Sequence, residues 1–279
     1  MRTALAPVTQ RPPRLRLQHP RRAMSFADPG LAAAYDQLAT SAGSLDLNTV
    51  LREAATLRPG LAGAPATAVP FDAPPGSIRL VVAPVAVDEN TFDALHQCCD
   101  AVAASFAPEH VFRTPRSQFH VTLFHFGRPG DVRELPADGG AGLASELALC
   151  TALCAQLPRF ELVVDRVVFA ASGVLLLLLQ TREADATPFR VRKGLRATHP
   201  AAPAKQSVLL HSSLLRVLAA PTLPMAAQAA QLACAEATAR LRGKVIAFDR
   251  LWHVQEVSLP CDGLVTELPL GTALGASDL

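Results

Sequence analysis

The sequence predicts an α+β fold, with mixed or antiparallel sheets flanked by helices. Three observations carry that expectation. Short apolar runs, the first of them rich in β-branched residues, recur at 78–87, 119–127, 160–169, 174–180, 209–218, 246–259 and 264–270, separated by segments of helical periodicity. Their order, β-α-β, α-β-β, α-β, α-β, mixes helical crossovers with a hairpin, which points away from a purely parallel sheet. Finally, 119–127 (FHVTLFHFG) and 209–218 (LLHSSLLRVL) each follow a helix, one in each half of the chain. That placement predicts an internal duplication with pseudo-two-fold symmetry.

The elements follow in order. Residues 1–76 read as an N-terminal extension: a Pro- and Arg-rich start, two short helices at 31–40 and 45–57, and an Ala/Pro/Gly linker at 59–76. Asp46 is placed to cap the second helix, and Arg58-Pro59-Gly60 ends it. The main domain spans 77–270. Its first strand, IRLVVAPVAV, meets Pro84, which has no N–H for a ladder and so marks an edge or a strand end. Asp88 or Asn90 opens a helix to 106, with Phe92, Leu95, Cys99, Val102 and Phe106 at helical spacing. Arg128-Pro129-Gly130-Asp131 turns the chain after the first His strand. The Gly-rich stretch 138–142 lacks the Lys-Ser/Thr of a phosphate loop.

A helix at 143–157 stops at Pro158. The runs 160–169 and 174–180 flank Ala-Ala-Ser-Gly and read as a hairpin buried on both faces. A helix at 187–197 carries Arg190, Arg192, Lys193 and Arg196. Another at 224–241 ends before Gly243, a C′ glycine. One strand, 246–259, carries the only Trp. A last strand covers 264–270, and 271–279 is a tail.

With 279 residues, half of them hydrophobic, the chain can bury a core of ordinary size. The net charge of +2 names no partner. Residues 1–27 hold six arginines and no acid, so the remainder is mildly acidic, and a phosphate site must be positive locally. An Arg-rich start suits an organellar transit peptide; an unstructured terminus has the same composition. The expected location is cytoplasmic, or chloroplast or mitochondrial if the start is a transit peptide. The longest aliphatic run, 174–179, is too short to span a bilayer. The six cysteines lack the CxxC spacing of a zinc site and read as small core residues; Cys150 and Cys154 share a helix face.

The chemistry sits in the two His strands. Side chains two apart on a strand share a face, so His120 pairs with Thr122 and His211 with Ser213. By the same alternation Phe124 shares the His120 face and His125 lies on the other. None of the other six histidines has a hydroxyl two residues on. Two imidazoles flanking a phosphodiester can divide the work of base and acid near neutral pH. Two hydroxyls can hold the non-bridging oxygens. Phe124, Trp252, Arg190 and Lys193 are further candidates for the groove, with Trp252 and His253 offering a surface for a base. Arg116 and Arg192 are candidate sources of positive potential, though a charge run on a helix is more often a solvated face.

These motifs, His120-Val121-Thr122-Leu123 and His211-Ser212-Ser213-Leu214, resemble those of the two-histidine (2H) phosphoesterase superfamily, the RNA ligase/cyclic nucleotide phosphodiesterase-like group. The resemblance covers roughly residues 77–259. The second motif departs from it: Ser212 stands where an aliphatic residue is usual, and 207–210 lacks the frequent Pro. The resemblance implies a bilobal fold with both motifs on central strands. It also implies a phosphodiesterase needing no metal or cofactor, with His120 and His211 as catalytic acid and base and Thr122 and Ser213 on the phosphate. RNA ends and small cyclic nucleotides would be its substrates, and the expected state is a monomer away from membranes. The alternative is a non-catalytic RNA- or nucleotide-binding module with a degenerate second motif.

Overall fold

A computed structural model of the chain describes residues 29–41, 45–133, 140–182, 186–223 and 225–271. The Arg-rich start, part of the Gly-rich stretch at 138–142 and all but Gly271 of the tail lie outside the described residues. In chain order the elements are α1 (Pro29–Ser41), α2 (Leu47–Glu53), β1 (Leu57–Arg58), β2 (Thr67–Ala68), β3 (Arg79–Pro84), α3 (Glu89–Ala103), β4 (Val111–Arg113), β5 (His120–Gly127), α4 (Gly140–Ala155), β6 (Phe160–Phe169), β7 (Val174–Gln180), α5 (Thr187–Thr198), β8 (His211–Val217), α6 (Ala226–Leu241), β9 (Val245–Phe248), β10 (Arg250–Ser258) and β11 (Asp262–Pro269).

The apolar runs assemble into two antiparallel sheets, ordered β11-β10-β3-β5 and β4-β8-β7-β6-β9, plus the short ribbon β1-β2. Read outward from the His strands, the sheets repeat one another. β5 pairs with β3, the strand before its helix, and β8 pairs with β7 in the same way. The helices cross over. α3 follows β3 but packs with α6 against the second sheet, while α5 follows β7 and packs with α4 against the first. This is the bilobal, pseudo-two-fold α+β arrangement that the motifs lead one to expect.

Local chemistry explains the elements. The Asp88 carboxylate accepts from the Thr91 N–H at 2.6 Å and starts α3. Leu95, Cys98, Cys99 and Val102 bury the opposite stripe against α6, whose Ala230, Ala233, Cys234 and Ala237 keep the helices close. Every residue of β7 is buried, which accounts for the unbroken run VLLLLLQ. Gly173 closes the β6–β7 turn at φ +78°, and a Cβ there would meet a Val217 methyl at 2.8 Å. All six cysteines are free and buried.

Two expectations change. The run 246–259 is not one strand. It breaks at Asp249, with β9 in the second sheet and β10 in the first, so the chain changes lobes inside one apolar stretch. Burial falls on 246 and 248 before the break and on 251 and 253 after it, so the alternation shifts phase at Asp249-Arg250. The sequence also sets 1–76 apart, yet Leu31 and Tyr35 belong to the main core, and Val50 is wholly buried beside Gly173. The Tyr35 hydroxyl sits between the carbonyls of Leu179 and Leu210 and accepts from the Leu210 N–H at 3.2 Å. It thereby fixes the residue before His211. Among the described residues, no helix is long and apolar enough to cross a membrane.

Candidate active site

The two His strands face one another across the seam between the sheets. β5 is the edge of its sheet, and its exposed backbone would invite mispairing if nothing satisfied it. Two side chains from distant segments do so. Arg192 of α5 donates to the carbonyls of Thr122 (3.3 Å) and Leu123 (3.1 Å) on one side, and of Val208 and Leu209 (both 2.9 Å) on the other. Gln206 accepts from the His125 N–H at 2.8 Å and donates to the His125 carbonyl at 3.0 Å. Burial pulls the Arg192 guanidinium down to about 10, and its four carbonyl partners compensate for its desolvation. Arg192 is thus a clamp between the motif strands rather than a source of potential for a ligand.

Each motif strand carries a β-bulge at the same place. Val82 pairs with Thr122 and Val81 with Phe124, leaving Leu123 as the extra residue. Leu176 pairs with Ser213 and Leu175 with Leu215, leaving Leu214. A bulge resets the alternation. Burial therefore runs half-buried, buried, half-buried, buried, buried, half-buried in both strands. His120, Thr122 and His125 share one face of β5; His211, Ser213 and Arg216 share the matching face of β8. The equivalence is direct: His, hydroxyl at +2, bulge at +3, basic or imidazole group at +5.

Two readings from simple alternation are corrected by this. His125 joins the His120 face. Phe124 leaves it and is buried edge-on to Phe126 (5.2 Å between centroids), beneath the Arg196 guanidinium. Arg216 was not singled out by the sequence, since five residues is an odd spacing. The doublets Leu123-Phe124 and Leu214-Leu215, which break the alternation in both motifs, were the available signal.

Electrostatics tie the histidines together. Burial, then the charge of His120, then Arg216 draw the His211 imidazole down to about 4. Burial lowers His120 below its usual value; Arg216 adds to that, and a hydrogen bond to the Gln118 carbonyl opposes it. Burial takes His125 down to about 4. The Gln118 carbonyl accepts from His120 Nδ1 at 2.8 Å. A carbonyl only accepts, so neutral His120 carries its proton on Nδ1 and its lone pair on Nε2. The hydroxyls of Thr122 and Ser213 make no protein hydrogen bond among the described residues. Between the strands lies a pair of imidazoles, a pair of hydroxyl donors and the Arg216 cation. Such a set can accept a proton, donate one, and hold an anion between them.

The other candidates spread out. Register places Thr122, Val82, Trp252 and Glu267 in one row, so Trp252 lies on the His120 face two strands away, about 10 Å at ordinary strand spacing. Glu256 is on the same face of β10; burial pushes its carboxyl up to about 7, against the pull of the Cys261 N–H and Arg216. His253 points to the back of the sheet and is buried against Glu146 at 2.8 Å, so it offers nothing to a base. Arg116 is engaged by Glu89 and the Val87 carbonyl, both at 2.7 Å, and lies over Phe92. Arg190 and Lys193 are exposed on α5; Arg190 lines a cavity at the β9–β10 junction, away from the two motifs, and Lys193 lines none of the described cavities. Ser212, the departure in the second motif, is fully buried, and its hydroxyl has no protein partner among the described residues. That is a cost to stability, not a group in the site, because Ser212 faces away from His211 and Ser213. Among the described residues no three His, Cys, Asp or Glu side chains converge as metal ligands.

No family model matches the sequence, and no curated protein does. Solved structures do. TT0787 of Thermus thermophilus is 20% identical over 70% of this chain and 99% of its own, with a TM-score of 0.47. Usb1 of Kluyveromyces marxianus is 13% identical over 70% and 98%, at 0.43. E. coli LigT, complexed with 3′-AMP, is 15% identical over 70% and 95%, at 0.39. All three are 2H phosphoesterase superfamily members, the family that the two motifs resemble. With identities this low and TM-scores below 0.5, the functional conclusion is drawn from this chain's own strands and side chains.

Proposed function

We propose that the chain is a metal-independent phosphodiesterase of the 2H type, acting on RNA ends or small cyclic nucleotides. The observation that carries the reading is the duplicated face, in which His, hydroxyl, bulge and polar +5 residue recur on two strands that meet at one seam. One histidine takes the proton of the attacking water or ribose hydroxyl as its oxygen bonds to phosphorus. The other gives a proton to the oxygen that leaves as the opposite P–O bond breaks. Thr122 and Ser213 donate to the non-bridging oxygens, and Arg216 offsets the charge that builds on them. Strand-borne groups held by Arg192, Gln206 and Tyr35 keep that geometry. The competing reading, a binding module, predicts affinity without turnover.

The pH profile tests the pairing. Activity of the free enzyme needs one histidine neutral and the other protonated. Both titrate below 6.5, His211 at about 4. The product of those two populations peaks between the two values. A plot of kcat/KM against pH is therefore expected to be a bell with its optimum below 6.5, falling on the alkaline side as the acid is lost. A bound phosphodiester anion favours the protonated imidazoles, so the kcat profile should sit at higher pH than that of kcat/KM. A kcat/KM that climbs steadily to about pH 8 would contradict the assignment.

A further inference from the structure

The His120 face of the first sheet continues past the motif. A cavity of about 760 Å³ opens there, lined by Pro84, Phe119, Arg116, Trp252, Arg250 and Glu267. Pro84 is the direct partner of His120 across the β3–β5 pair, and Phe119 precedes His120 in the chain. Trp252 and Glu267 lie in the row that starts at Thr122. The cavity thus lies at the strand end beside His120, although none of His120, Thr122, His211 and Ser213 lines it. A second cavity, of about 820 Å³, shares Ala86, Ala247, Phe248, Asp249 and Arg250 with the first and reaches Arg159, Arg182 and Arg190. The two cavities adjoin at these residues and form a channel from the strand end beside His120, past Trp252 and around the β9–β10 junction.

The charges along it are uneven. Near the site, Arg116 is paired with Glu89, and Arg250 with Asp249 and Glu267. At the far end Arg182 stands 3.7 Å from Glu161. Arg159 and Arg190 are exposed and make no ion pair among the described residues. An indole near the site and two guanidinium groups without an ion-pair partner among the described residues suit a single nucleic-acid strand: bases stack on aromatic rings, and phosphates seek the cations. We propose that this channel is a subsite for the strand leading away from the scissile phosphate, with Trp252 as stacking platform and Arg159 and Arg190 as the distal phosphate clamp. The proposal rests on the phosphodiesterase reading above, and it makes an oligonucleotide, rather than a mononucleotide, the preferred substrate.

Two measurements test it on the full chain. The first compares kcat/KM for a five-nucleotide oligouridylate ending in a 2′,3′-cyclic phosphate with that for uridine 2′,3′-cyclic phosphate. In Arg159→Ser/Arg190→Ser and in Trp252→Leu the ratio should fall about tenfold from wild type. The second measures binding of a labelled five-nucleotide oligodeoxythymidylate, which has no 2′-hydroxyl to attack, as salt is raised. The slope of log K against log salt should be shallower by about 1.4 in the double Arg variant, at about 0.7 per lost phosphate contact on a single strand. An unchanged ratio and an unchanged slope would overturn the subsite even if the enzyme turns over the mononucleotide. A changed slope in a protein that turns over neither substrate would keep the subsite and overturn the catalytic reading.

Discussion

His120→Ala and His211→Ala are each expected to lower kcat on a 2′,3′-cyclic nucleotide by at least about a hundredfold, the ordinary contribution of one positioned acid or base. Neither side chain is needed for the fold. Both are half-buried at the seam, and the strands beneath them are held by backbone pairing and by the Arg192, Gln206 and Tyr35 bonds. Thermal unfolding of both variants should therefore stay close to wild type. If the two histidines serve one phosphorus, their losses will not add: the double variant should be little worse than either single one. Steady-state kinetics on the three variants checks this. Independent, multiplicative losses would mean that the imidazoles act on separate events.

The largest stability effect is expected far from the seam. Arg79 of β3 meets Glu146 of α4 through two bonds, at 2.9 and 3.1 Å, and His253 of β10 shares the same carboxylate at 2.8 Å. The Arg79 and Glu146 side chains are 5% and 8% exposed. Burial alone would raise the Glu146 carboxyl; the bonds from His253 and Arg79 outweigh it and hold it below its ordinary value. Glu146→Leu strands a buried guanidinium and should cost about 3–5 kcal/mol, roughly ten degrees in Tm for a chain of this size. Replacing Arg79 by Met in the same variant should restore much of that loss, since the uncompensated charge is then gone. Calorimetry of the single and double variants decides it. The sign with pH also follows. A carboxyl held below its ordinary value of 4.5 contributes stability that is complete above that pH, and this stability drains away as pH falls through the folded-state value.

Much of this protein was legible in its sequence, and the limits have physical reasons. The helices were readable because apolar spacing and caps such as Asp88 are local signals. The two motifs were readable because strand alternation is local too. What periodicity misses is any residue whose role is set by the other lobe. Arg192 reads as part of a solvated charge run, yet it clamps two strands that only the fold brings together. Tyr35 sits in a stretch that reads as an extension, yet its hydroxyl fixes the residue before His211. Asp249 looks like the middle of one strand because apolar residues flank it on both sides; only a shift of burial from 246 and 248 to 251 and 253 marks the break. Simple alternation puts Phe124 and His125 on the wrong faces for a subtler reason: one extra residue at Leu123 reverses the assignment of the two that follow it. The same bulge at Leu214 brings Arg216 into the site. The duplication of that irregularity ties the two halves together more closely than the motifs do.

Turnover of a phosphodiester in the groove between β5 and β8 should need no metal. The most direct measurement is hydrolysis of uridine 2′,3′-cyclic phosphate and a short oligoribonucleotide by the full chain in excess EDTA. Turnover should survive chelation and be lost in His120→Ala and His211→Ala. Binding of both compounds with no turnover, or activity that EDTA abolishes, would contradict it.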